Sequence, residues 1–547
     1  DVDFSKHIVR RREHIVARND RFTAILRNAL DTVSASDVLD TDGMVAPRVE
    51  LEAVRGEWVS TQVVLRAEKL VQNAGLELAP LKKTGGGTIE QENLNWYHAA
   101  PPDPEMTAID KLVPLESFHL NPGENGCFWI DIRVPRSAEA GLYSGPCTLR
   151  VEGTATAVLD LTVRVHDVLL PERLRFRHGL FSISPSHVRR WYDLEDRFDP
   201  RLESELWPRF AQQYVRNRIS PGEVHPYNWR DYYVDKKNPR DPTSGFAVQI
   251  FDKWAGYFIR NNLYVNNLLV KGYPTVSAEE FAAFWIPRLR EKGWLRYAYT
   301  RGPRDEATTP GGKGYDSNIR LGKWLKSAFP DLDVNMTVPT TDVSVLRDYA
   351  PATDLWLIPP RHYVEPQIRA FLEQRMEAGD QVWWYTNSRC RSIAENELRR
   401  RTFFWLAFSY GITGCNNWST TQWVTNPDAR SRNFEKHDDG SFTYTAGPSR
   451  CDGLFFWPGP DGPLESLRLK TLRDGTEDFD LLAMLRDLVN APERMQQMTE
   501  ARRRRARELL NSTRSFAPAV GNISRDSTDL LNARRAIVTF LEREPPL

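Results

Sequence analysis

Hydrophobic and polar residues alternate with a period of two along much of the segment from residue 39 to residue 170. Stretches with this pattern include VELEAVRGEWVSTQVVLRA, GCFWIDIRVP and ATAVLDLTVRVHDV, and Gly, Pro and Asn separate them. Such alternation is typical of strands buried on one face, and the lack of helical spacing between them favours antiparallel pairing. We therefore predict an antiparallel β-sandwich domain over residues 39–170.

The segments at the two ends of the chain have helical spacing. In HIVARNDRFTAILRNAL, apolar residues recur every three or four positions, which predicts an N-terminal helical segment over residues 1–38. The same spacing returns near the end and predicts a C-terminal helical extension over residues 490–547.

Strand-like and helix-like stretches alternate after the breaker Pro171. Helical stretches such as EEFAAFWIPRLREKG and EPQIRAFLEQRMEAG separate eight strand candidates. The strand candidates span residues 177–184, 218–227, 263–273, 295–306, 333–341, 354–363, 381–387 and 411–420. A doubly wound open sheet is the alternative, but no Gly-rich phosphate motif follows any strand. We therefore predict a (β/α)8 TIM barrel over residues 171–489 as the catalytic domain.

Composition narrows the class of protein. Lys+Arg and Asp+Glu both number 73, so net charge gives no argument for a nucleic-acid partner. No apolar run is long enough to predict a membrane span. The chain has 17 Trp, most of which we expect in an aromatic core, and exposed rings of this kind stack on sugars or on nucleobases.

Five cysteines show no metal spacing, and the odd number excludes a complete set of intramolecular disulfides. Cys127 and Cys147 could face each other on neighbouring strands, and the sequence leaves open whether they pair. The chain starts at Asp1, and we expect a periplasmic or extracellular bacterial protein whose signal sequence is already removed.

The fourth strand candidate ends in two adjacent carboxylates, Asp305 and Glu306, within YAYTRGPRDEATTP. Barrel enzymes place their chemistry at the carboxyl ends of the strands, where the chain turns and both side chains reach one pocket. A purely structural alternative is that one acid caps the next helix or pairs with Arg301 or Arg304.

The other strand ends carry polar and aromatic side chains that suit a sugar site. The predicted substrate-binding residues among them are His225, Lys271, Tyr273, Tyr363, Trp384, Asn387, Asn417 and Trp418. A metal site is not predicted because no three ligands have motif spacing, and a Ser-His-Asp site lacks the G-x-S-x-G turn. We expect no metal and no cofactor.

Several longer stretches resemble one family. They include VRGEWVSTQVVLRA, VPRSAEAGLYSGPCTLRV, DLWLIPP, QVWWYTN, RRRTFFWLAFSYGITGCNNWSTTQW and CDGLFFWPGPDGPLESLRLKTLRDGTEDFDLLAML. Through them, residues 45 to 485 resemble the bacterial DUF4091-type glycoside hydrolases, in particular glycoside hydrolase family 123.

The resemblance implies a β-sandwich, a (β/α)8 barrel and a retaining exo-β-N-acetylgalactosaminidase. Glu306 is then the acid/base that protonates the glycosidic oxygen. Asp305 orients the 2-acetamido group of the substrate, whose oxygen attacks the anomeric carbon and forms an oxazolinium ion. Tyr363, Trp384 and Trp418 match the residues that hold the acetamido group in the family.

Two departures from the family pattern bear on the substrate. The acid pair usually precedes Pro, whereas Ala307 follows it here. Arg301 and Arg304 make the strand end basic, and arginines close to the pair lower the pKa of a general acid or bind a carboxylate or sulfate on the sugar.

Two alternative functions remain open at this point. The first is a glycosidase for a different sugar, acidic or lacking the acetamido group, which needs a second acid such as Asp354 or Glu223. The second is a carbohydrate-binding protein without catalytic activity. The sequence does not indicate the natural glycan, its linkage or the oligomeric state.

Overall fold

The computed structural model describes residues 14–102, 106, 108–194, 196, 198–227, 229, 245–273, 275–385, 397–425, 432–437, 442–446, 451–516 and 526–543. The chain divides into two compact units. One comprises Asp1–Leu170, Asn396–Leu398 and Arg535–Leu547, and the other comprises Pro171–Glu395 and Arg399–Arg534.

Strands make up most of the first unit. They are β1 (His14–Arg18), β2 (Phe22–Asn28), β3 (Arg48–Arg55), β4 (Trp58–Ala67), β5 (Val71–Leu78), β6 (Leu81–Lys83), β7 (Thr88–Ile89), β8 (Leu94–Ala100), β9 (Lys111–Val113), β10 (Phe118–Leu120), β11 (Asn125–Arg133), β12 (Gly141–Val151) and β13 (Thr154–Leu169). In one sheet these strands pair in the order β1-β2-β4-β11-β8-β9, and in the other in the order β10-β5-β12-β13-β3. All of these pairs are antiparallel except β13 with β3.

Period-two alternation explains how the two sheets share one core. On β11, Phe128, Ile130 and Ile132 are buried in the same hydrophobic cluster as Leu161 and Val163 of β13. Their neighbours in sequence point to the opposite face of the sheet. The antiparallel character predicted from the sequence is therefore confirmed.

The predicted N-terminal helix is wrong for residues 14–28, which form the antiparallel hairpin β1–β2. The reason is the turn at Asn19, whose side-chain oxygen accepts hydrogen bonds from the N–H groups of Arg21 (2.8 Å) and Phe22 (3.0 Å). A local Asn turn of this type competes directly with a helix. Residues 1–13 lie outside the described residues.

Cys127 and Cys147 do not face each other on neighbouring strands. Both thiols are free and buried, because Cys127 lies on β11 of one sheet and Cys147 on β12 of the other.

The second unit carries the parallel strands and most of the helices. Its strands are β14 (Arg177–Gly179), β15 (Asn266–Leu269), β16 (Ala298–Arg301), β17 (Val334–Thr337), β18 (Leu355–Ile358), β19 (Gln381–Tyr385), β20 (Gly414–Asn416), β21 (Phe434–Lys436), β22 (Phe442–Tyr444), β23 (Trp457–Pro458) and β24 (Pro463–Ser466). The helices of the chain are α1 (Pro185–Trp191), α2 (Trp207–Arg216), α3 (Gly245–Arg260), α4 (Ala278–Glu291), α5 (Tyr315–Ala328), α6 (Val343–Tyr349), α7 (Pro360–Tyr363), α8 (Pro366–Glu377), α9 (Glu397–Ser409), α10 (Leu467–Val489), α11 (Pro492–Gln497), α12 (Glu500–Phe516) and α13 (Ser527–Glu542). No described helix combines the length and apolar content needed to cross a bilayer.

Seven strands of this unit pair in parallel in the order β14-β20-β19-β18-β17-β16-β15. They correspond to seven of the eight predicted strands, and the prediction is wrong for residues 218–227, which contain no strand. Pro221 and Pro226 remove N–H donors that a ladder needs, so this segment runs as irregular chain. Within the described residues no ladder joins β14 to β15, and the fold is a curved mixed α/β arrangement with part of the predicted barrel.

The sheet curls around an inner face that holds Tyr299, Leu355, Leu357, Trp383 and Tyr385. Tyr299 and Trp383 meet edge to face with ring centroids 5.2 Å apart. β14 and β16 lie near opposite ends of the strand order, and still a Cβ at Gly179 would lie 2.7 Å from Tyr299 Oη. The curl therefore brings the two ends of the sheet within side-chain reach.

Gly179→Ala tests this packing. A Cβ at this position would also lie 1.9 Å from the side-chain amide of Asn416 and 2.9 Å from the Trp383 ring. We expect a loss of about 1–3 kcal/mol in the free energy of unfolding, measured by urea titration. Gly272→Ala is the matched control because nothing lies within 4 Å of its Cβ position, and equal losses in both variants would contradict the prediction.

Candidate active site

The acid pair lies in a turn just beyond β16, at the carboxyl end of the strand. Asp305 and Glu306 are both exposed, and Glu306 has φ of 51°, in the left-handed region. A residue other than Gly rarely adopts this conformation, and such strain concentrates at functional sites.

Buried side chains hold the turn from both sides. Asn318 of α5 accepts a hydrogen bond from the Arg304 N–H (3.1 Å) and donates one to the Arg304 carbonyl (2.8 Å). The Tyr349 hydroxyl donates to the Ala307 carbonyl at 2.6 Å, and Asn318 Nδ2 also donates to that hydroxyl at 3.3 Å. The backbone on each side of the two acids is therefore fixed, while their carboxylates face solvent.

The acid pair neither caps the next helix nor forms the ion pairs that were considered as its purely structural roles. Gly314 is the N-cap residue of α5, so neither acid caps that helix. Within the described residues no ion pair joins Asp305 or Glu306 to Arg301 or Arg304. The stem of Arg304 packs at the Cβ position of Gly314, towards the start of α5.

Partial burial and the charge of Asp305 raise the pKa of Glu306, while the Arg361 guanidinium acts in the opposite direction. Burial also raises the pKa of the Tyr385 phenol, and the charges of Asp305 and Glu306 add to this rise while Arg301 offsets it. The phenol at the end of β19 is thus within electrostatic reach of both acids.

Trp384 and Tyr363 lie on the other side of the sheet. Because side chains alternate along β19, Trp383 and Tyr385 are on the inner face and Trp384 is not. Trp384 packs against Tyr363 (5.5 Å between ring centroids), Phe403 of α9 (5.8 Å) and Tyr410 (5.7 Å). The expected sugar contacts of Trp384 and Tyr363 have no support in this position.

Trp418 lies just beyond the end of β20 and keeps 39% of its surface exposed. Its Nε1 donates a hydrogen bond to Asp452 Oδ1 at 3.1 Å. The Asp452 charge also acts on the Tyr385 phenol and raises its pKa. Trp418, Asp452 and Tyr385 therefore lie in one region with the acid pair.

Glu223 is a further acid whose charge interacts with Arg301, at the end of β16. Burial raises the pKa of Glu223 to about 7, against the opposing charges of Arg301 and Lys271. Lys271 also lies over the Tyr273 ring, with Nζ 5.3 Å from its centroid. Asp354, the other candidate second acid, precedes β18 and pairs with Lys326, so it lies at the opposite end of the sheet from the acid pair.

The remaining predicted ligands serve the fold or lie outside the described residues. His225 is buried edge to face against Trp229 (4.5 Å), and burial lowers the pKa of its ring to about 3. The Tyr273 hydroxyl donates to the Leu269 carbonyl at 2.8 Å. Asn417 is fully buried, and its N–H donates to the Gly179 carbonyl at 3.2 Å. Asn387 lies outside the described residues.

Sequence reasoning missed four residues of this region. The phase of alternation in QVWWY, with Trp383 inside, is the signal that selects Tyr385 over Trp384. Asn318 and Tyr349 have no local signal, because their role depends on α5 and α6 packing beside the turn. Asp452 stands in CDGLFF, far from Trp418 in sequence.

Metal ligands do not cluster among the residues that the structure describes. No group of three or more His, Cys, Asp or Glu side chains is placed there to hold an ion.

Comparison with known proteins defines the class. Residues 324–485 match the family described as glycoside hydrolase 123, catalytic domain. The chain is therefore a glycosidase with a mixed α/β fold. This match agrees with the resemblance to glycoside hydrolase family 123 that the sequence indicated.

One of two similar solved structures shares the fold of this chain. A family 123 glycoside hydrolase from Clostridium perfringens, studied for glycolipid glycan hydrolysis, has a TM-score of 0.65 at 14% identity, over 95% of this chain and 98% of that one. A family 39 glycoside hydrolase from Bacteroides cellulosilyticus has a TM-score of 0.32 at 11% identity, over 79% of this chain and 82% of its own. The lower score carries no weight in the assignment. A comparison with curated proteins found no match.

Tyr349→Phe tests whether the Tyr349 hydroxyl stabilises the turn that carries the acid pair. The variant leaves the Ala307 carbonyl without its 2.6 Å donor, so we expect a loss of about 1 kcal/mol in stability and a lower kcat on aryl glycosides. Tyr410→Phe is the control, since that hydroxyl makes no hydrogen bond within the described part of the chain. Equal stability and kcat in the two variants would contradict a positioning role.

Proposed function

We propose that this chain is a retaining exo-β-N-acetylgalactosaminidase that uses the acetamido group of its substrate as the nucleophile. Glu306 protonates the glycosidic oxygen as the bond to the leaving group breaks. Asp305 accepts a hydrogen bond from the acetamido N–H and so directs the acetamido oxygen onto the anomeric carbon. Water then opens the resulting oxazolinium ion, with Glu306 as the base, and the configuration at the anomeric carbon is retained.

The single observation that carries the proposal is the pair of neighbouring, exposed acids on a turn fixed by Asn318 and Tyr349. Neighbouring acids on one turn fit a mechanism in which one acid protonates the leaving oxygen and the other orients the acetamido group, which itself serves as the nucleophile. A raised pKa of Glu306 also fits a group that must be protonated at the start of the reaction.

The proposal also assigns further residues and a further segment of the chain. We assign Trp418, Lys271 and Tyr385 to the substrate pocket, with Tyr385 in the place expected for Trp384 and Tyr363. Residues 218–227 complete the barrel between β14 and β15 as irregular chain. The division of residues 39–547 into a sandwich, a barrel and a C-terminal extension stays a prediction, and so does the periplasmic or extracellular location.

A second candidate is a glycosidase for an acidic sugar. Arg301 supports it, because its buried Nε makes no hydrogen bond within the described residues and its charge acts on the mouth of the site. Arginine binds carboxylate and sulfate groups through several N–H donors. Faster hydrolysis of a sulfated or carboxylated aryl glycoside than of its neutral parent would favour this function.

Glu306→Gln tests the assignment of the acid/base. We expect kcat on an aryl β-N-acetylgalactosaminide to fall about 100- to 10,000-fold, with a smaller loss when the leaving phenol is more acidic and needs less protonation. Asp305→Asn is expected to lose several orders of magnitude on acetamido sugars with little change in fold, and Glu377→Gln on the exposed surface of α8 is the control.

Two results would contradict the mechanism. One is activity that survives both substitutions in the acid pair. The other is hydrolysis of plain galactosides or glucosides as fast as of acetamido sugars, with inversion of the product anomer seen by NMR.

Arg361→Gln tests the electrostatics of the site. The Arg361 charge lowers the pKa of Glu306, so its removal raises that pKa and keeps the general acid protonated to higher pH. We therefore expect the alkaline limb of the kcat/KM profile to move to higher pH, measured on a neutral aryl substrate. The limb of the control Arg347→Gln, on the exposed side of α6, should not move. A shift to lower pH would contradict the assignment of Glu306.

A further inference from the structure

The chain that leads to Glu223 runs from one end of the parallel sheet to the other. Ser220 lies near the start of β15, because its Oγ accepts a hydrogen bond from the Tyr264 N–H at 3.0 Å. Two residues further, a Cβ at Gly222 would lie 2.7 Å from the Cα of Leu180, just beyond the end of β14. The segment therefore runs in the direction of the parallel strands, and Glu223 lies at their carboxyl ends.

The Glu223 carboxylate is open on the side away from the protein. Glu223 keeps part of its surface exposed, although Gly222 and Val224 on either side of it are buried. Its carboxylate forms no hydrogen bond or ion pair in the part of the chain that the structure describes. A carboxyl group that has lost most of its contact with water is costly unless a donor compensates for the loss, and here a ligand can supply that donor.

Arg301 lies at the same height as Glu223. It is the last residue of β16 and follows Tyr299 on the inner face of the sheet. The Tyr299 hydroxyl lies 2.7 Å from a Cβ position at Gly179, and Gly222 packs against the residue after Gly179. Arg301 and Glu223 therefore both follow residues that pack at the end of β14, and both are nearer to the mouth of the site.

Electrostatic effects on Tyr299 agree with this placement. Burial raises the pKa of the Tyr299 phenol, the charge of Arg301 offsets part of this rise, and the charge of Glu223 adds to it. The two charged groups therefore lie near one ring of the inner face, on different segments of the chain.

The Arg301 guanidinium also lacks partners. Its buried Nε donates to no acceptor among the described residues, and the group forms no ion pair there with Glu223 or with the acid pair. The acid pair stands shortly after Arg301 in the same segment, in the turn beyond β16. A guanidinium and a carboxylate that lie near each other without pairing leave a gap that polar groups of a ligand can bridge.

Sugar hydroxyls suit this gap. Each hydroxyl both donates and accepts, whereas an ionised carboxylate only accepts and a guanidinium only donates. One hydroxyl of a pyranose can donate to Glu223 while its neighbour on the ring accepts from Arg301. A sulfate or carboxylate on the sugar would be attracted by Arg301 but repelled by Glu223, so the two residues together favour a neutral ring.

We propose that Glu223 and Arg301 together bind neighbouring hydroxyl groups of the sugar ring and so determine the specificity of the site. This inference rests on the proposed function, since it concerns the sugar whose glycosidic bond lies at the acid pair. It extends that function by naming the class of substrate. That class is a neutral pyranose with free hydroxyls on carbons that bear neither the glycosidic bond nor the acetamido group.

Glu223→Gln is the first test, because it keeps the shape of the side chain and removes the charge. We expect kcat/KM for an aryl β-N-acetylgalactosaminide to fall about 10- to 100-fold, since a hydrogen bond to a charged group is weakened. The midpoint of thermal unfolding should not fall, because the variant breaks no bond among the described residues. Glu205→Gln, at an exposed position, is the matched control. An unchanged kcat/KM, or a lower midpoint that indicates a structural role, would overturn the inference.

Substrates that each lack one ring hydroxyl separate sugar binding from support of the chain. Loss of the hydroxyl that Glu223 binds should lower kcat/KM about tenfold in the parent enzyme and much less in Glu223→Gln. Loss of the neighbouring hydroxyl should show the same coupling with Arg301→Gln. Absence of coupling in both variants shows that neither residue binds the sugar, and the inference is then wrong. Faster hydrolysis of a substrate that carries a sulfate at either position would overturn it as well.

A binding measurement distinguishes this inference from the proposed function. Calorimetry in the Glu306→Gln background with N-acetylgalactosamine and galactose needs no turnover. Weaker binding on Glu223→Gln, but not on Glu205→Gln, supports the inference even if no acetamido glycoside is hydrolysed, a result that removes the proposed function alone. Hydrolysis together with binding that is independent of Glu223 removes the inference alone, and a failure to bind either sugar overturns the inference directly.

Discussion

The contact between Tyr299 and Trp383 on the inner face sets the phase of the parallel sheet. Once these two rings face each other, alternation places Arg301 and Tyr385 two residues further on the same face, at the carboxyl ends of β16 and β19. Gly179 leaves the space that the rings occupy. The Tyr385 phenol, whose pKa the acid pair raises, is therefore positioned by this packing.

The site combines exposed acidic side chains with buried side chains that hold their backbone in place. Asp305 and Glu306 face solvent, whereas Asn318 and Tyr349, which hold their backbone, are 2% and 1% exposed. This division suits a hydrolase, because substrate and water must reach the carboxylates while the geometry must not drift. Trp418 and Asp452 repeat the arrangement, with an open ring face on a loop held by hydrogen bonds.

The regular spacing of apolar residues was the sequence signal that predicted the strands most reliably. It predicted the antiparallel strands of the first unit, seven of the eight parallel strands and the position of the acid pair at a strand end. The periodicity gave a wrong prediction at two places. The spacing of residues 14–28 predicted a helix, but the turn at Asn19 forms a hairpin. The second strand candidate contains two prolines and forms no strand. Trp384 was predicted as a sugar contact, but it lies on the face of β19 opposite Tyr385, and the sequence of a strand end alone does not reveal which face is inner.

The backbone conformation of Glu306 explains why alanine, and not proline, can follow it. A proline after any residue disfavours helical-type angles there and pushes its φ towards about −120°. Glu306, at φ of 51°, has no room for such a neighbour, and Ala307 imposes no such restriction. Ala307, at the position where the resemblance leads one to expect proline, and the left-handed Glu306 therefore fit one and the same loop shape. A chain that keeps the proline must aim its acid with a different backbone, so loops should be exchanged between such enzymes only as whole segments.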